Sequence, residues 1–140
     1  MEGKINIALE FMDAGSLAQI LTKISKISEV ILGMITVQIL NGLVYLHKRH
    51  VMHRDIKPAN ILFNLGGVVK LADFGVSGQL DNTADLKTTF VGTLIYMSPE
   101  RLEGKAYQLD TDLWSLGIIL LECATGKCPI NGRGFWEVLQ

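Results

Sequence analysis

At 140 residues the chain is one domain's worth of sequence, long enough to bury about two thirds of its unfolded surface in a single core. Apolar residues make up 49% and charged residues 19%, a globular composition that excludes the disordered and collagenous classes. A net charge of -1 and a pI near 6.3 supply neither the basic footprint of a nucleic-acid binder nor a polybasic membrane patch, so small polar ligands and proteins are the expected partners.

Near the N-terminus, Ile5-Asn6-Ile7-Ala8-Leu9 alternates and runs into Glu10-Phe11-Met12, reading as a strand that opens into a linker at Asp13-Ala14-Gly15. Ser16-Leu17-Ala18-Gln19 has the form of a capping box at the start of a short helix. From Ser28 a long helix is expected, with Ile31, Ile35, Ile39 and Leu43 in one row and Met34 and Leu46 beside it facing a core. His47-Lys48-Arg49-His50 closes it, cations that suit the negative end of the helix dipole. Ile61-Leu62-Phe63 and Val68-Val69-Lys70-Leu71 flank the glycine-rich Asn64-Leu65-Gly66-Gly67, the pattern of a hairpin. Ser77 to Thr89 is of low hydrophobicity and reads as a mobile loop. Asp112 through Thr125 is apolar on nearly every side, as a helix through the middle of a domain would be, with Gly126 as its C-terminal cap.

Leu113 to Leu121 falls far short of the roughly 20 residues that span a bilayer. Cys123 and Cys128, four residues apart in a helix and its exit, lack metal-site spacing and read as structural thiols. Without a glycosylation tripeptide or a secretory leader, a reducing, cytoplasmic location is expected.

The residues that carry chemistry stand on either side of the hairpin. Before it comes His53-Arg54-Asp55-Ile56-Lys57-Pro58-Ala59-Asn60, and after it Asp73-Phe74-Gly75. Phosphoryl transfer needs a carboxylate to orient the attacking hydroxyl, a cation on the moving phosphoryl group, and oxygen ligands for magnesium. Either triplet alone is a weak signal; both in this order, with a hairpin between, form a strong one.

On these residues the chain resembles the eukaryotic protein kinases over essentially its whole length. Ser98-Pro99-Glu100 occupies the place of their A-P-E element, and Asp112-Leu113-Trp114-Ser115-Leu116-Gly117 that of their central-helix motif. Lys57 and Pro58 resemble the serine/threonine type. Phe90-Val91-Gly92-Thr93, Tyr96 to Leu102, the DFGVSGQL of residues 73–80 and the LEFMDAGSL of residues 9–17 resemble the MAP kinase kinases.

The resemblance implies an α+β fold: a kinase-like C-terminal lobe, mainly helical, with a small hairpin and a hinge strand. Residues 1–12 would be the last N-lobe strand and hinge, and residues 13–140 a C-lobe truncated after the central helix. It implies Asp55 as catalytic base, Lys57 as the cation on the transferred phosphate, and Asn60 with Asp73 as magnesium ligands. Backbone groups of Glu10 and Met12 would hold the adenine of ATP, Leu9 would be the gatekeeper, Ser16 and Gln19 would approach the ribose, and Leu62 would close the pocket. Thr93 would bridge Asp55 and Lys57 where substrate docks, Asp112 would accept from catalytic-loop amides, and His53 and Phe74 would be packed spine residues. Arg54 is read either as the partner of a phosphorylated loop or as that of a nearby carboxylate. An upstream activating kinase would phosphorylate Thr83 and Thr89, with Thr88 as a substitute, and the substrate would be a downstream MAP kinase.

The chain departs from the family in having no glycine-rich loop or V-A-I-K strand; its sole G-x-G, Gly132-Arg133-Gly134, lies at the wrong end. The 140-residue segment is therefore expected to be inactive by itself, the N-lobe being largely missing. Glu100 is expected to be a buried carboxylate deprived of an arginine partner, leaving the segment marginally stable. Two classes follow: a catalytic segment of a dual-specificity protein kinase that uses ATP and Mg2+, or a noncatalytic kinase-like interaction protein.

Overall fold

The computed structural model describes residues 7–73 and 94–130. Residues 5 and 6, Phe74, the loop from Ser77 to Thr89 with Thr83 and Thr88, Thr93 and the Gly132-Arg133-Gly134 run lie outside the described residues.

Three short antiparallel strands form a sheet in the order β1 (Gly15–Ser16), β2 (Ile61–Phe63), β3 (Val69–Leu71). The β2–β3 hairpin is as expected, with Ile61 opposite Leu71 and Phe63 opposite Val69. Its turn is held by the Asn64 side chain, whose Oδ1 accepts from the Val68 amide at 2.9 Å, and by Gly67 at φ 80. Period-two alternation gives the sheet two faces. Ile61 and Val69 are buried and Phe63 and Leu71 pack against the same core, while Ser16, Leu62 and Lys70 share a cross-strand row on the opposite face.

Over residues 7–9, the described part of the strand expected from Ile5 to Leu9, no strand is present. Ile7 and Leu9 are exposed in an irregular segment, because among the described residues no strand lies alongside to complete its hydrogen bonds. The strand forms instead where a linker was expected, with Gly15 opposite Phe63 and Ser16 opposite Leu62.

Ser16 also caps α1 (Leu17–Leu21). The predicted box is complete: the Gln19 amide donates to Ser16 Oγ at 3.3 Å, and the Ser16 amide donates to Gln19 Oε1 at 2.9 Å. Ser28 precedes α2 (Glu29–His47), whose Ile35, Ile39, Leu43 and Leu46 enter the core. Ile31 and Met34, expected in that stripe, are exposed together with Val30 and Val37. The helix is apolar all round, so its pattern does not by itself choose the buried face. By length and composition alone α2 could reach across a bilayer, but four of its residues pack inside the protein.

Beyond the sheet, Pro99 opens the one-turn α3 (Pro99–Leu102), and α4 (Asp110–Thr125) packs against α2. Leu116, Ile119 and Cys123 of α4 join Leu17, Ile39, Leu43 and Ile61 in one core. Fully burying each of the leucines and isoleucines contributes about 1.5–3 kcal/mol. Contrary to the all-round burial expected for this helix, Leu113, Trp114 and Leu121 face outward. Cys123 is packed inside, and burial pushes its thiol up to about 11. Gly126 ends the helix at φ 76, and a Cβ there would stand 2.3 Å from the Ser25 carbonyl oxygen. Glu100 is not a buried, orphaned carboxylate: it lies on the first turn of α3, where a hydrogen bond from Ser98 holds its carboxyl below the usual value.

Candidate active site

Three non-glycine residues among those described adopt left-handed backbone: His50 (φ 56), Arg54 (φ 68) and Asp73 (φ 60). Each such residue costs on the order of 1 kcal/mol or more and persists only where its surroundings over-determine it. Two of the three belong to the H-R-D and D-F-G runs.

The surroundings of Arg54 are explicit. Asp112, in the first turn of α4 and 1% exposed, accepts the His53 amide on Oδ2 at 2.9 Å and the Arg54 amide on Oδ1 at 2.9 Å. Its Oδ2 also meets His47 Nε2 at 2.8 Å. Thus the expected role of Asp112 as amide acceptor is present, and His47 does more than complement the end of α2. On the other side of the residue, Arg101 Nη1 of α3 donates to the Arg54 carbonyl at 2.6 Å. No ion pair of the Arg54 side chain is seen among the described residues, and the loop that one reading assigns to it lies outside them.

This frame presents Asp55. Its Oδ2 receives Lys57 Nζ at 2.9 Å and Asn60 Nδ2 at 2.9 Å, and Asn60 Nδ2 also donates to the Asp55 carbonyl at 2.8 Å. Pro58 begins the short 3-10 turn that brings Asn60, 5% exposed, back beneath the carboxylate. Three of the four residues expected to carry the chemistry are thereby in mutual contact. The fourth, Asp73, is placed by its neighbour: the Ala72 amide donates to the Asn60 carbonyl at 2.9 Å, and the Ala72 carbonyl meets His53. His53 is wholly buried, as expected of a packed residue. Burial lowers its pKa below 6.5, outweighing the opposing pull of Asp112, the Ala72 carbonyl and Asp55.

Of the residues expected around adenine and ribose, Glu10, Leu62, Ser16 and Gln19 form a second group. Glu10 pairs with Lys70, which stands opposite Leu62, which stands opposite Ser16, which is joined to Gln19 through the capping box. Met12 is buried and its carbonyl accepts from the Gly15 amide at 3.3 Å. Leu9 is 79% exposed. Sequence reasoning missed Lys70, His47 and above all Arg101; only the charge of Arg101 inside the quoted Tyr96–Leu102 run could have drawn attention to it.

Comparison with known proteins gives the family of the chain. Residues 1–137 match the family described as "Protein kinase domain". The chain is 58% identical over 133 residues, 94% of its length, to a dual specificity mitogen-activated protein kinase kinase 1 of Dictyostelium discoideum, and covers 20% of that protein. It is 52% identical over 139 residues, 99% of its length, to mitogen-activated protein kinase kinase 1c of Physcomitrium patens, covering 40% of it. With mitogen-activated protein kinase kinase 1 of Arabidopsis thaliana it shares 53% identity over 128 residues, 91% of its length and 36% of that protein. The chain thus spans well under half the length of these curated relatives. It belongs to the protein kinase domain family, with MAP kinase kinases as relatives at 52–58% identity.

Proposed function

We propose that this chain is the catalytic segment of a MAP kinase kinase, which transfers the γ-phosphate of ATP to serine or threonine, and to tyrosine, of a downstream MAP kinase. The observation that carries the reading is the Asp55 carboxylate held between Lys57 and Asn60, each at 2.9 Å. A base fixed in this way can orient the attacking hydroxyl and accept its proton, a contribution of about 10²–10⁴-fold. Lys57 is long enough to turn from Asp55 toward the phosphoryl group in flight, where a cation offsets the charge on its oxygens.

Asn60 spends its amide hydrogens on Asp55, which leaves Oδ1 as its ligating atom. With the Asp73 carboxylate this makes an all-oxygen donor set that fits a hard cation. Asn60 and Asp73 would hold Mg2+, which when bound neutralises charge on the phosphates. Glu10 and Met12, through their backbone, with Leu9 and Leu62 would seat the adenine, and Ser16 and Gln19 would lie toward the ribose. Phosphorylation of Thr83 and Thr89 by an upstream kinase belongs to the same proposal, resting on the place of Thr89 directly before Phe90-Val91-Gly92-Thr93.

The test is phosphate transfer to a MAP kinase by the full-length protein that carries this chain, with and without Asp55→Asn. Asp55→Asn is expected to lower kcat by about 10³-fold while ATP still binds. If kcat stays within about tenfold of the parent, a loss under about 1.4 kcal/mol, Asp55 is not the base. Specific binding of a MAP kinase without any transfer would favour the interaction-protein reading.

A further inference from the structure

Arg101 has no part in the roles assigned above, yet it reaches 47 residues back along the chain to the H-R-D run. Its Nη1 donates to the Arg54 carbonyl at 2.6 Å, and its guanidinium lies 5.3 Å from the centre of the Tyr107 ring. Among the described residues it makes no ion pair. Among the described residues, a main-chain oxygen and the Tyr107 ring are what hold this arginine.

That oxygen belongs to the planar unit that also contains the Asp55 amide. On the opposite edge of the unit, the contact of the Asp55 N–H among the described residues is a long one, 3.4 Å to His53 Nδ1. The Arg54 amide, one unit earlier, is fixed by Asp112. Arg101 thus supplies the short hydrogen bond that sets the plane leading into Asp55, while Arg54 sits at φ 68. Without it, Arg54 can relax toward the right-handed region, which turns the plane and swings the Asp55 carboxylate away from Lys57 and Asn60.

We infer that Arg101 is a positioning residue that aims the Asp55 carboxylate through the Arg54 carbonyl. The inference rests on the phosphoryl-transfer reading for its catalytic consequence, and on geometry alone for its structural one. A guanidinium suits the place because it can lie against Tyr107 with its flat face and donate from its edge. Burial and the nearby charge of Arg54 lower the pKa of Arg101 against the raising effect of Tyr107, Asp112 and Asp55, and an arginine remains a cation throughout.

The experiment compares the full-length parent with Arg101→Met and Arg101→Lys. Two readouts are taken: kcat and KM for ATP in phosphate transfer to a MAP kinase, and residue-resolved amide hydrogen exchange. Because a misplacement of about 1 Å can cost 10²-fold, Arg101→Met is expected to lower kcat by about 10–100-fold. KM for ATP should stay within about twofold, since removing an interaction felt only at the reacting centre spares ground-state binding. Arg101→Lys should recover part of the loss. Exchange should accelerate by about tenfold at the Arg54 and Asp55 amides while the Ile39 and Ile119 amides keep their protection, the mark of a local opening. A kcat within twofold of the parent, or exchange rising equally throughout α2 and α4, overturns the inference. Should the parent transfer no phosphate, the kinase reading fails on that arm, and exchange at residues 54 and 55 decides the structural claim by itself.

Discussion

The loop at residues 53–60 and the segment at residues 7–16 both carry groups proposed to meet the same substrate, yet they are held in opposite ways. In the loop, His53, Arg54, Asp55 and Asn60 are tied to one another and to two helices by short hydrogen bonds, several of them charge-assisted. In the N-terminal segment, Ile7, Leu9 and Phe11 are largely exposed. It is anchored by the Ala14 amide on the Phe63 carbonyl at 3.0 Å, by Asp13 accepting from the Leu65 amide at 2.8 Å, and by an exposed ion pair to Lys70. Groups that perform chemistry must be aimed before substrate arrives, whereas groups that grip a flat aromatic ring can be ordered by it.

The strongest way to break this contrast is Asp112→Ala. It strands two amides and His47 together, so the loss should be on the order of 3 kcal/mol in urea denaturation. The matching change on the weaker side, Ser16→Ala, removes one half of a capping box and should cost about 1 kcal/mol by the same measurement. If the two substitutions cost the same, the contrast is wrong.

Acid provides a gentler perturbation of the loop. The folded pKa of His53 lies below its unfolded 6.5, so the unfolded chain binds more protons as pH falls. Stability contributed by the neutral ring is present above pH 6.5 and is lost as pH drops from there toward the folded pKa. Melting temperatures from pH 7.5 to 5 should show this acid limb, and His53→Gln, which can still donate to the Ala72 carbonyl, should flatten it. The smallest effect belongs to Leu9→Ala: at 79% exposure it should change stability by no more than about 0.5 kcal/mol while weakening ATP binding in titration calorimetry. A large stability loss there would mean that the segment is packed in solution.

What the sequence revealed follows the same division. The capping box, the hairpin, α2 and α4 were legible because each is written within a few consecutive residues: Ser16 with Gln19, Asn64 to Gly67, the run after Ser28, and Gly126. The cluster of Asp55, Lys57 and Asn60 was legible because the motif itself brings them within one turn. Strand β1 was hidden, since two residues acquire that conformation only by lying against β2. The outward faces of Ile31, Met34, Leu113 and Trp114 were hidden because helices apolar on all sides leave the choice of buried face to their neighbours. Arg101 was hidden because its partner is a carbonyl, which leaves no trace in side-chain identity.

Gly126 carries a consequence for natural variation. A side chain there would meet both an unfavourable φ of 76 and the Ser25 carbonyl oxygen at 2.3 Å, two independent obstacles that no single rotamer change relieves. In a saturation scan of viability, position 126 should therefore tolerate almost nothing. A clinician or breeder meeting a variant at this codon would see loss of function from a residue that touches no proposed substrate, while Leu65, at the exposed tip of the hairpin, should accept most exchanges in silence.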